Sequence, residues 1–343
     1  MKRFLNTLFV STQGAYLRRE RENIVVEIEG KVAARFPVHL LGQVTCFGNA
    51  MCSPFMLGLC AENGVAVSFL TENGRYLSRM VGKTSGNVLL RKQQFRASEN
   101  EGRAAQIAKA IVAGKVANQR TVLQRALRDH PEIESEGTIA RVIDRLKSNL
   151  EFLDSTDDLD RIRGLEGDSA NLYFSVFDRL ILCQKGDFFF RGRNRRPPTD
   201  NVNALLSFAY TLLMLDCRSA LESVGLDPQV GYLHADRPGR PSLALDLMEE
   251  FRPVIADRIA LSMINRQQLK KSDFNKTESR AVLMQDDSRK KLINEYQEKK
   301  KAELTHPFLN EKMQTGLLFH IQALLLARHL RGDLDGYPPY VWR

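Results

Sequence analysis

The sequence lacks the features that mark a membrane protein or a disulfide-rich secreted protein. Its longest largely apolar run, residues 204–215, has 12 members, whereas a membrane-spanning helix needs roughly 20. No small-residue cleavage site follows the basic start, so no secretory signal is expected. The five cysteines form no CxxC pair, which excludes the usual zinc-finger spacings. We therefore expect a soluble cytoplasmic protein with reduced thiols and no membrane partner.

Acidic residues are outnumbered by basic ones, 41 to 50, which gives a formal net charge of +9. Such an excess permits a nucleic-acid partner without proving one. One basic segment, 185–196, interleaves three phenylalanines with cations and predicts a strand flanked by a phosphate-binding loop. A second, 270–301, suits either phosphate binding or a solvated loop and helix. The candidate DNA-binding residues of the first segment are Lys185, Arg191, Arg193, Arg195 and Arg196.

Hydrophobic periodicity predicts an α+β fold with two domains. Residues 1–95 alternate apolar and polar positions, and two hairpins are expected, one turning at Glu29-Gly30 and one at Asn73-Gly74. Asn-Gly favours a hairpin because both residues tolerate positive φ. The polar stretch 96–103 has no apolar periodicity and is predicted to be a linker.

The remainder of the chain, 104–343, has the periodicity of helices. A helix apolar on nearly all sides is predicted from Asn201 to Val224, at the centre of this domain. Ser242 is a candidate cap for the next helix, and Pro253 should kink or restart it. A last helix is expected over 312–330, followed by an extended Tyr-Pro-Pro tail that docks on a surface.

Three patterns place polar side chains in otherwise apolar segments. Glu166 lies where a helix is about to pack, so its carboxylate requires solvent or a cation. His234 ends an apolar run before a loop, and Asp246 and Glu249 lie three residues apart on one side of a helix. Two helical carboxylates and an imidazole predict a site for Mg²⁺ or Mn²⁺. Taken singly, each residue also suits a solvated surface or a local hydrogen bond.

Together these segments resemble the CRISPR-associated integrase of spacer acquisition, the first-numbered Cas protein, called the Cas-one family here. The resemblance extends over nearly the whole chain, and the Tyr-Pro-Pro tail is similar to the type I form, subtype I-C. Four motifs carry it: Leu165-Glu166-Gly167 with Ala170, Tyr173 and Phe174; Arg196-Pro197-Pro198 with Asn201 to Leu213; Gly231-Tyr232-Leu233-His234; and Ser242-Leu243 with Asp246-Leu247-Met248-Glu249 and Phe251-Arg252-Pro253.

The resemblance implies a β domain for dimerisation and partner contact, followed by a metal-dependent catalytic domain. It implies a DNA endonuclease and integrase that inserts short double-stranded fragments into a CRISPR array. In that reaction a 3′ hydroxyl attacks a phosphodiester at the repeat boundary. Glu166, His234 and Glu249 match the family's ligands for Mg²⁺ or Mn²⁺, and Asp246 matches a neighbouring catalytic acid, which we assign to supporting the site.

The implied partners are a second copy of the chain, a Cas-two dimer and, for subtype I-C, an accessory end-processing nuclease. Two other functions remain open. The same site would serve hydrolysis of branched or single-stranded DNA without strand transfer. Alternatively, the chain would be a DNA-binding scaffold without a working active site, in which loss of His234 would change no activity.

Overall fold

The computed structural model describes residues 6–82, 88–194 and 197–342, and these form two compact units. The first unit contains the described residues up to 82, together with Lys300–Ala302 and Gln314–Leu317. The second contains the other described residues from 88 onward. The predicted α+β class is confirmed: strands dominate the first unit and helices the second.

The first unit consists of two four-stranded sheets and one helix. One sheet has the order β4-β3-β2-β6 and the other β1-β5-β7-β8. Apolar side chains from both sheets and from the helix share one buried cluster. The elements are β1 Thr7–Val10, β2 Tyr16–Glu20, β3 Asn23–Ile28, β4 Lys31–Pro37, β5 Gln43–Phe47, β6 Met51–Cys52, α1 Pro54–Glu62, β7 Ala66–Leu70 and β8 Tyr76–Met80.

Both predicted hairpins are confirmed. Strands β3 and β4 pair antiparallel around Glu29-Gly30, where both residues have positive φ (51° and 74°). Strands β7 and β8 pair antiparallel around the Asn73-Gly74 turn, in which Gly74 has φ 80°. In each turn a glycine takes the left-handed conformation that other residues adopt at a cost.

The second unit is a helical domain with two short hairpins. Its longest helix, α3, packs against α4 and α5, and α6 packs against α7 and α10. The elements from residue 88 onward are α2 Val88–Glu99, α3 Glu101–Asp129, α4 Thr138–Asp154, α5 Leu159–Ser175, α6 Asn201–Ser223, α7 Ser242–Glu249, α8 Arg258–Asn265, β9 Phe274–Lys276, β10 Val282–Met284, α9 Asp286–Lys301, β11 Glu303–Thr305, β12 Lys312–Gln314 and α10 Leu318–Arg331, and the last residues of α9 and β12 belong to the first unit.

Helix α6 confirms the predicted central helix. The Asp200 side chain caps its first turn by accepting from the backbone N–H of Asn203. By length and composition α6 could cross a membrane, but 67% of its apolar window is buried inside the protein. That degree of burial is typical of a core helix.

Three element boundaries differ from the prediction. The proposed linker 96–103 is helical: it holds the end of α2 and the start of α3, joined at Asn100, which caps α3. Only a narrow face of α2 is buried, so most of its positions face solvent and can be polar. The polar composition of 96–103 therefore does not mark a flexible segment. The last helix begins at Leu318, because residues 312–314 form β12. Ser242 is the first residue of α7 without capping it, and its hydroxyl donates to the carbonyl of Ala235.

The chain is kinked after α7, as Pro253 predicts. Residues 252–257 form a π-helical turn that leads directly into α8. A proline removes one backbone donor and disturbs the regular ladder, which accounts for the wider turn. This turn and α7 together carry the buried acids Asp246, Glu249 and Asp257.

Candidate active site

The structure brings together the four residues predicted to carry chemistry, all within the second unit. Glu166 lies on α5, His234 on the loop before α7, and Asp246 and Glu249 on α7 itself. Asp246 and Glu249 are almost fully buried, at 0% and 1% exposure. His234 and Glu166 are partly open, with 24% and 25% of their side chains exposed.

Asp246 organises the histidine loop. Its carboxylate accepts hydrogen bonds from the backbone N–H groups of Tyr232 (2.7 Å), Leu233 (3.0 Å) and His234 (3.0 Å). The same carboxylate lies 2.6 Å from His234 Nδ1. With Nδ1 engaged in this way, Nε2 is the ring nitrogen left to bind a ligand. Asp246 therefore fixes the orientation of the His234 ring.

A glycine makes this arrangement possible. A Cβ at Gly231 would lie 2.6 Å from Ser242 Cβ and 3.0 Å from Asp246 Oδ2. Only glycine lets the loop approach the carboxylate this closely. From the other side, Arg163 of α5 donates through Nε to the carbonyl of Leu233 at 2.8 Å. The loop is thus fixed to both helices that carry the predicted acids.

The two glutamates converge on a cation that the sequence analysis missed. The ammonium of Lys115, on α3, contacts Glu166 Oε1 and lies 2.7 Å from Glu249 Oε2. Lys115 is only 4% exposed. A signal was present, because Lys115 lies on the same helical face as the buried residues Ala108 and Ile111. Its partners, however, belong to distant parts of the chain.

A second cation, Arg252, completes the cluster, and its side chain is 20% exposed. Arg252 Nη1 lies 2.9 Å from Glu249 Oε1, and its guanidinium lies over the Tyr210 ring at 4.9 Å. Burial would raise the pKa of Glu249, but the positive charges of Arg252 and Lys115 outweigh it and hold the pKa below its usual value. Burial would lower the pKa of Lys115, but Glu249 and Glu166 reverse that effect and raise it. The carboxylate and the ammonium are therefore both charged.

The donor set suits a divalent cation only if Lys115 moves. Two carboxylates and one imidazole are appropriate ligands for Mg²⁺ or Mn²⁺, and Glu166 and Glu249 already face one positive charge. Across residues 6–82, 88–194 and 197–342, however, no group of three or more His, Cys, Asp and Glu side chains has the spacing of an assembled metal site. The Lys115 ammonium stands between the two glutamates.

A cavity of about 280 Å³ adjoins this cluster. It is lined by residues of α3, α5, α6 and the π-helical turn, and the cations Lys115, Arg193 and Arg252 give it a basic wall. Arg193 donates to Asn203 Oδ1 at 2.6 Å and to Ser207 Oγ at 3.1 Å, so α6 holds its guanidinium in place. Among the predicted DNA-binding residues that the structure describes, Arg193 therefore lies beside the candidate site.

The rest of the basic segment has a different character. No strand forms over 185–192, although Phe188 and Phe190 are buried and Phe189 is 40% exposed, as the predicted alternation requires. Lys185 is exposed, and its Nζ lies 3.9 Å from Asp178 Oδ2 and donates to the Asp178 backbone carbonyl at 3.4 Å. Arg191 is exposed and lies over the Phe189 ring. The other two candidates, Arg195 and Arg196, lie outside the described residues.

Asp257, which also lines the cavity, should make the free energy of unfolding depend on pH. Its carboxylate accepts from the Tyr210 hydroxyl at 2.6 Å, and Tyr173, Arg252 and Arg193 also face it. Burial nevertheless raises the pKa of Asp257 from 3.8 to about 6. The unfolded state loses this proton first as the pH rises. The free energy of unfolding should therefore fall by about 3 kcal/mol between roughly pH 4 and 6.

Asp257→Asn tests this expectation, because asparagine keeps an acceptor for Tyr210 and cannot ionise. Urea unfolding from pH 4 to 7 should show that the stability of the variant relative to wild type increases through that window. Asp287→Asn, at a side chain that is 86% exposed, is the control and should run parallel to wild type. If the free energy of unfolding of Asp257→Asn changed with pH in parallel with that of wild type, Asp257 would not be a buried, protonated carboxyl group.

Sequence similarity to known proteins covers most of the chain. A family model described as CRISPR associated protein Cas1 matches residues 8–298. The CRISPR-associated endonuclease Cas1 1 of Chlorobaculum tepidum is 53% identical over 343 residues, with 100% of both chains covered. A CRISPR-associated exonuclease Cas4/endonuclease Cas1 fusion of Geobacter sulfurreducens is 35% identical, and the match covers 98% of this chain and 60% of the fusion.

Solved structures share the fold. A Cas1 protein from Thermotoga maritima superposes with a TM-score of 0.80 at 22% identity, covering 95% of this chain and 97% of that one. A casposase bound to integration product superposes with a TM-score of 0.83 at 23% identity, and the match covers 98% of this chain and 94% of the casposase chain. A chain of a Cas6-RT-Cas1–Cas2 complex superposes with a TM-score of 0.82 at 21% identity, and the match covers 100% of this chain and 36% of that one.

Proposed function

Since the chain belongs to the Cas1 family of CRISPR-associated endonucleases, we propose that it joins DNA as well as cutting it. In this proposal the 3′ hydroxyl of a short double-stranded fragment attacks a phosphodiester at the boundary of a CRISPR repeat, and the attacked strand leaves with a new 3′ end. The observation that carries the proposal is the convergence of Glu166 and Glu249 on one buried positive charge beside a histidine oriented by Asp246.

Glu166, His234 and Glu249 would hold a divalent cation, Mg²⁺ or Mn²⁺. When bound, such an ion supplies Lewis-acid stabilisation of the charge that develops on a phosphodiester. Asp246 keeps the imidazole in one orientation, and Arg252 keeps Glu249 ionised. No residue of the chain needs to bond covalently to DNA, so the remaining contribution of the protein is to position the hydroxyl and the phosphate.

The basic residues near the site would hold the DNA backbone. Arg193 lines the adjoining cavity, and Lys185 and Arg191 are exposed further along the same segment. Both fragment and target are polyanions, so binding should weaken steeply with added salt. Arg195 and Arg196 remain predicted contacts.

Related proteins suggest which protein partners this chain has. One protein with this fold is part of a Cas6-RT-Cas1–Cas2 complex, and a relative is fused to a Cas4 exonuclease. We propose that this chain forms a homodimer, assembles with a Cas2 dimer and works with an accessory nuclease that trims fragment ends. Family membership does not distinguish subtypes, so assignment to subtype I-C remains a prediction.

Strand transfer tests the function directly. A short labelled duplex with 3′ hydroxyl ends is incubated with a repeat-bearing plasmid, the chain, its Cas2 partner and Mn²⁺. We expect label to join the plasmid at the repeat boundary, and we expect no joining with EDTA or with a duplex that ends in 3′ dideoxynucleotides. Cleavage without joining would instead support the hydrolytic endonuclease. The absence of both cleavage and joining would support the scaffold.

A further inference from the structure

The segment Tyr337–Trp342, called the tail here, is packed into the second unit without forming helix or strand. Tyr337 and Tyr340 are only 5% and 3% exposed. Two prolines between them lack backbone donors and fix an extended course. The prediction of a docking segment is therefore confirmed, and the surface on which it docks belongs to the same unit of the chain.

The tail binds a buried acid next to the active site. Glu250 is fully buried and directly follows Glu249. Its carboxylate accepts from the Tyr337 hydroxyl (2.6 Å) and from the Tyr340 N–H (2.7 Å), and Gln322 supplies a third donor at 3.1 Å. Two of these three hydrogen bonds come from the tail. Without them a buried carboxyl group would lose most of its partners, which is costly.

A buried asparagine on α3 connects the tail to the same place. Asn118 Nδ2 donates to the backbone carbonyls of Glu250 (2.7 Å) and Tyr340 (2.9 Å). Its Oδ1 accepts from the Trp342 N–H at 2.7 Å. One side chain therefore ties α3, the residue after α7 and the tail together.

The tail also approaches α3 so closely that only glycine fits. A Cβ at Gly114 would lie 2.9 Å from Pro339 Cβ and 3.3 Å from Glu250 Cγ. Gly114 directly precedes Lys115, just as Glu250 directly follows Glu249. The tail thus contacts the backbone neighbours of both members of the buried ion pair.

We propose that the tail is a latch that positions Glu249 for catalysis. By bridging α3 to the end of α7, it sets the distance between the two helices at the point where the ammonium and the carboxylate meet. Glu250, Asn118 and Tyr337 are positioning residues in this account, since they act through their neighbours. The proposal rests on the proposed function in one respect, namely that Glu249 binds the divalent cation.

Gly114→Ala is the sharpest test, because the added methyl group collides with the tail. Gly164→Ala is the matched control, since it makes the same change in a helix where a Cβ meets nothing within 4 Å. Loss of contacts that orient metal ligands costs about 10- to 100-fold in metal affinity or activity. We expect Gly114→Ala to weaken Mn²⁺ binding, measured by electron paramagnetic resonance, by about tenfold or more.

Further readouts separate positioning from general damage. Hydrogen exchange at the Tyr340 and Trp342 amides should accelerate in Gly114→Ala, kcat for DNA cleavage should fall, and KM for DNA should stay near that of the control. Tyr337→Phe removes the hydrogen bonds of the hydroxyl with Glu250 and Gln322 without a collision, and it should shift the same quantities in the same direction by less. It keeps the test valid if Gly114→Ala does not fold.

The outcomes are distinguishable. If the tail amides exchange faster but Mn²⁺ affinity and kcat match those of Gly164→Ala, the latch is wrong. If the amides stay protected in Gly114→Ala and in Tyr337→Phe while Mn²⁺ affinity or kcat falls, the loss does not pass through the tail, and the latch is wrong. If wild type itself binds no Mn²⁺, the proposed metal site fails, and the latch falls because it has nothing to position.

Discussion

His234→Ala is expected to reduce metal-dependent strand transfer by at least about a thousandfold, since a metal ion contributes several kcal/mol of transition-state stabilisation. The fold should tolerate the change, because the side chain is 24% exposed and pairs with Asp246, which keeps its backbone donors. The thermal midpoint should therefore stay close to that of wild type. Both quantities can be measured on one preparation, by the plasmid-joining assay and by calorimetry.

His130→Ala is the matched control, because that histidine ends α3 with 45% of its side chain exposed, beside Glu132. It should join fragments at the wild-type rate. Wild-type joining by His234→Ala would remove the imidazole from the site and would revive the scaffold interpretation. Glu166→Gln should behave as His234→Ala does, since its carboxylate is also partly open.

Lys115→Met is expected to make the stability of the protein depend on metal. The substitution removes the cation between Glu166 and Glu249 and leaves two carboxylates facing each other, with Arg252 as the remaining neighbouring cation. Breaking a buried ion pair from one side costs about 3–5 kcal/mol. Without divalent cations the thermal midpoint of the variant should therefore fall by several degrees or more.

Mn²⁺ should restore much of that loss, because a cation at 100 times its dissociation constant stabilises a protein by about 2.7 kcal/mol. The metal no longer competes with an ammonium, so its affinity for the variant should exceed its affinity for wild type. Lys109→Met, on the same helix at a lysine paired with the exposed Asp157, should show neither effect. A Lys115→Met protein that is destabilised equally with and without Mn²⁺ would contradict a shared position for lysine and metal.

The sequence predicted those parts of the fold that depend on the conformational preferences and hydrophobic pattern of neighbouring residues. The Asn73-Gly74 hairpin follows from backbone conformation, and α6 follows from an apolar pattern with an Asp200 cap. The boundary at 96–103 could not be predicted in this way, because a polar helix junction and a polar linker have the same composition. The structure shows helices on both sides of Asn100.

The candidate site divides in a similar manner. Glu166, His234, Asp246 and Glu249 could be identified because each interrupts an apolar pattern within a family motif. Lys115 and the tail contacts of Glu250 could not, because their partners are remote: Lys115 and Glu166 are 51 positions apart, and Tyr337 and Glu250 are 87 apart. Tertiary packing alone decides which buried charges meet.

We propose that Glu166, His234 and Glu249 bind one divalent cation in the position that Lys115 fills. Anomalous scattering from crystals soaked in Mn²⁺ measures this directly. We expect one strong manganese peak at roughly 2.0–2.3 Å from a carboxylate oxygen of each glutamate and from His234 Nε2, with the Lys115 ammonium moved away. Manganese bound elsewhere, or a fully loaded crystal in which Lys115 still joins the two glutamates, would contradict it.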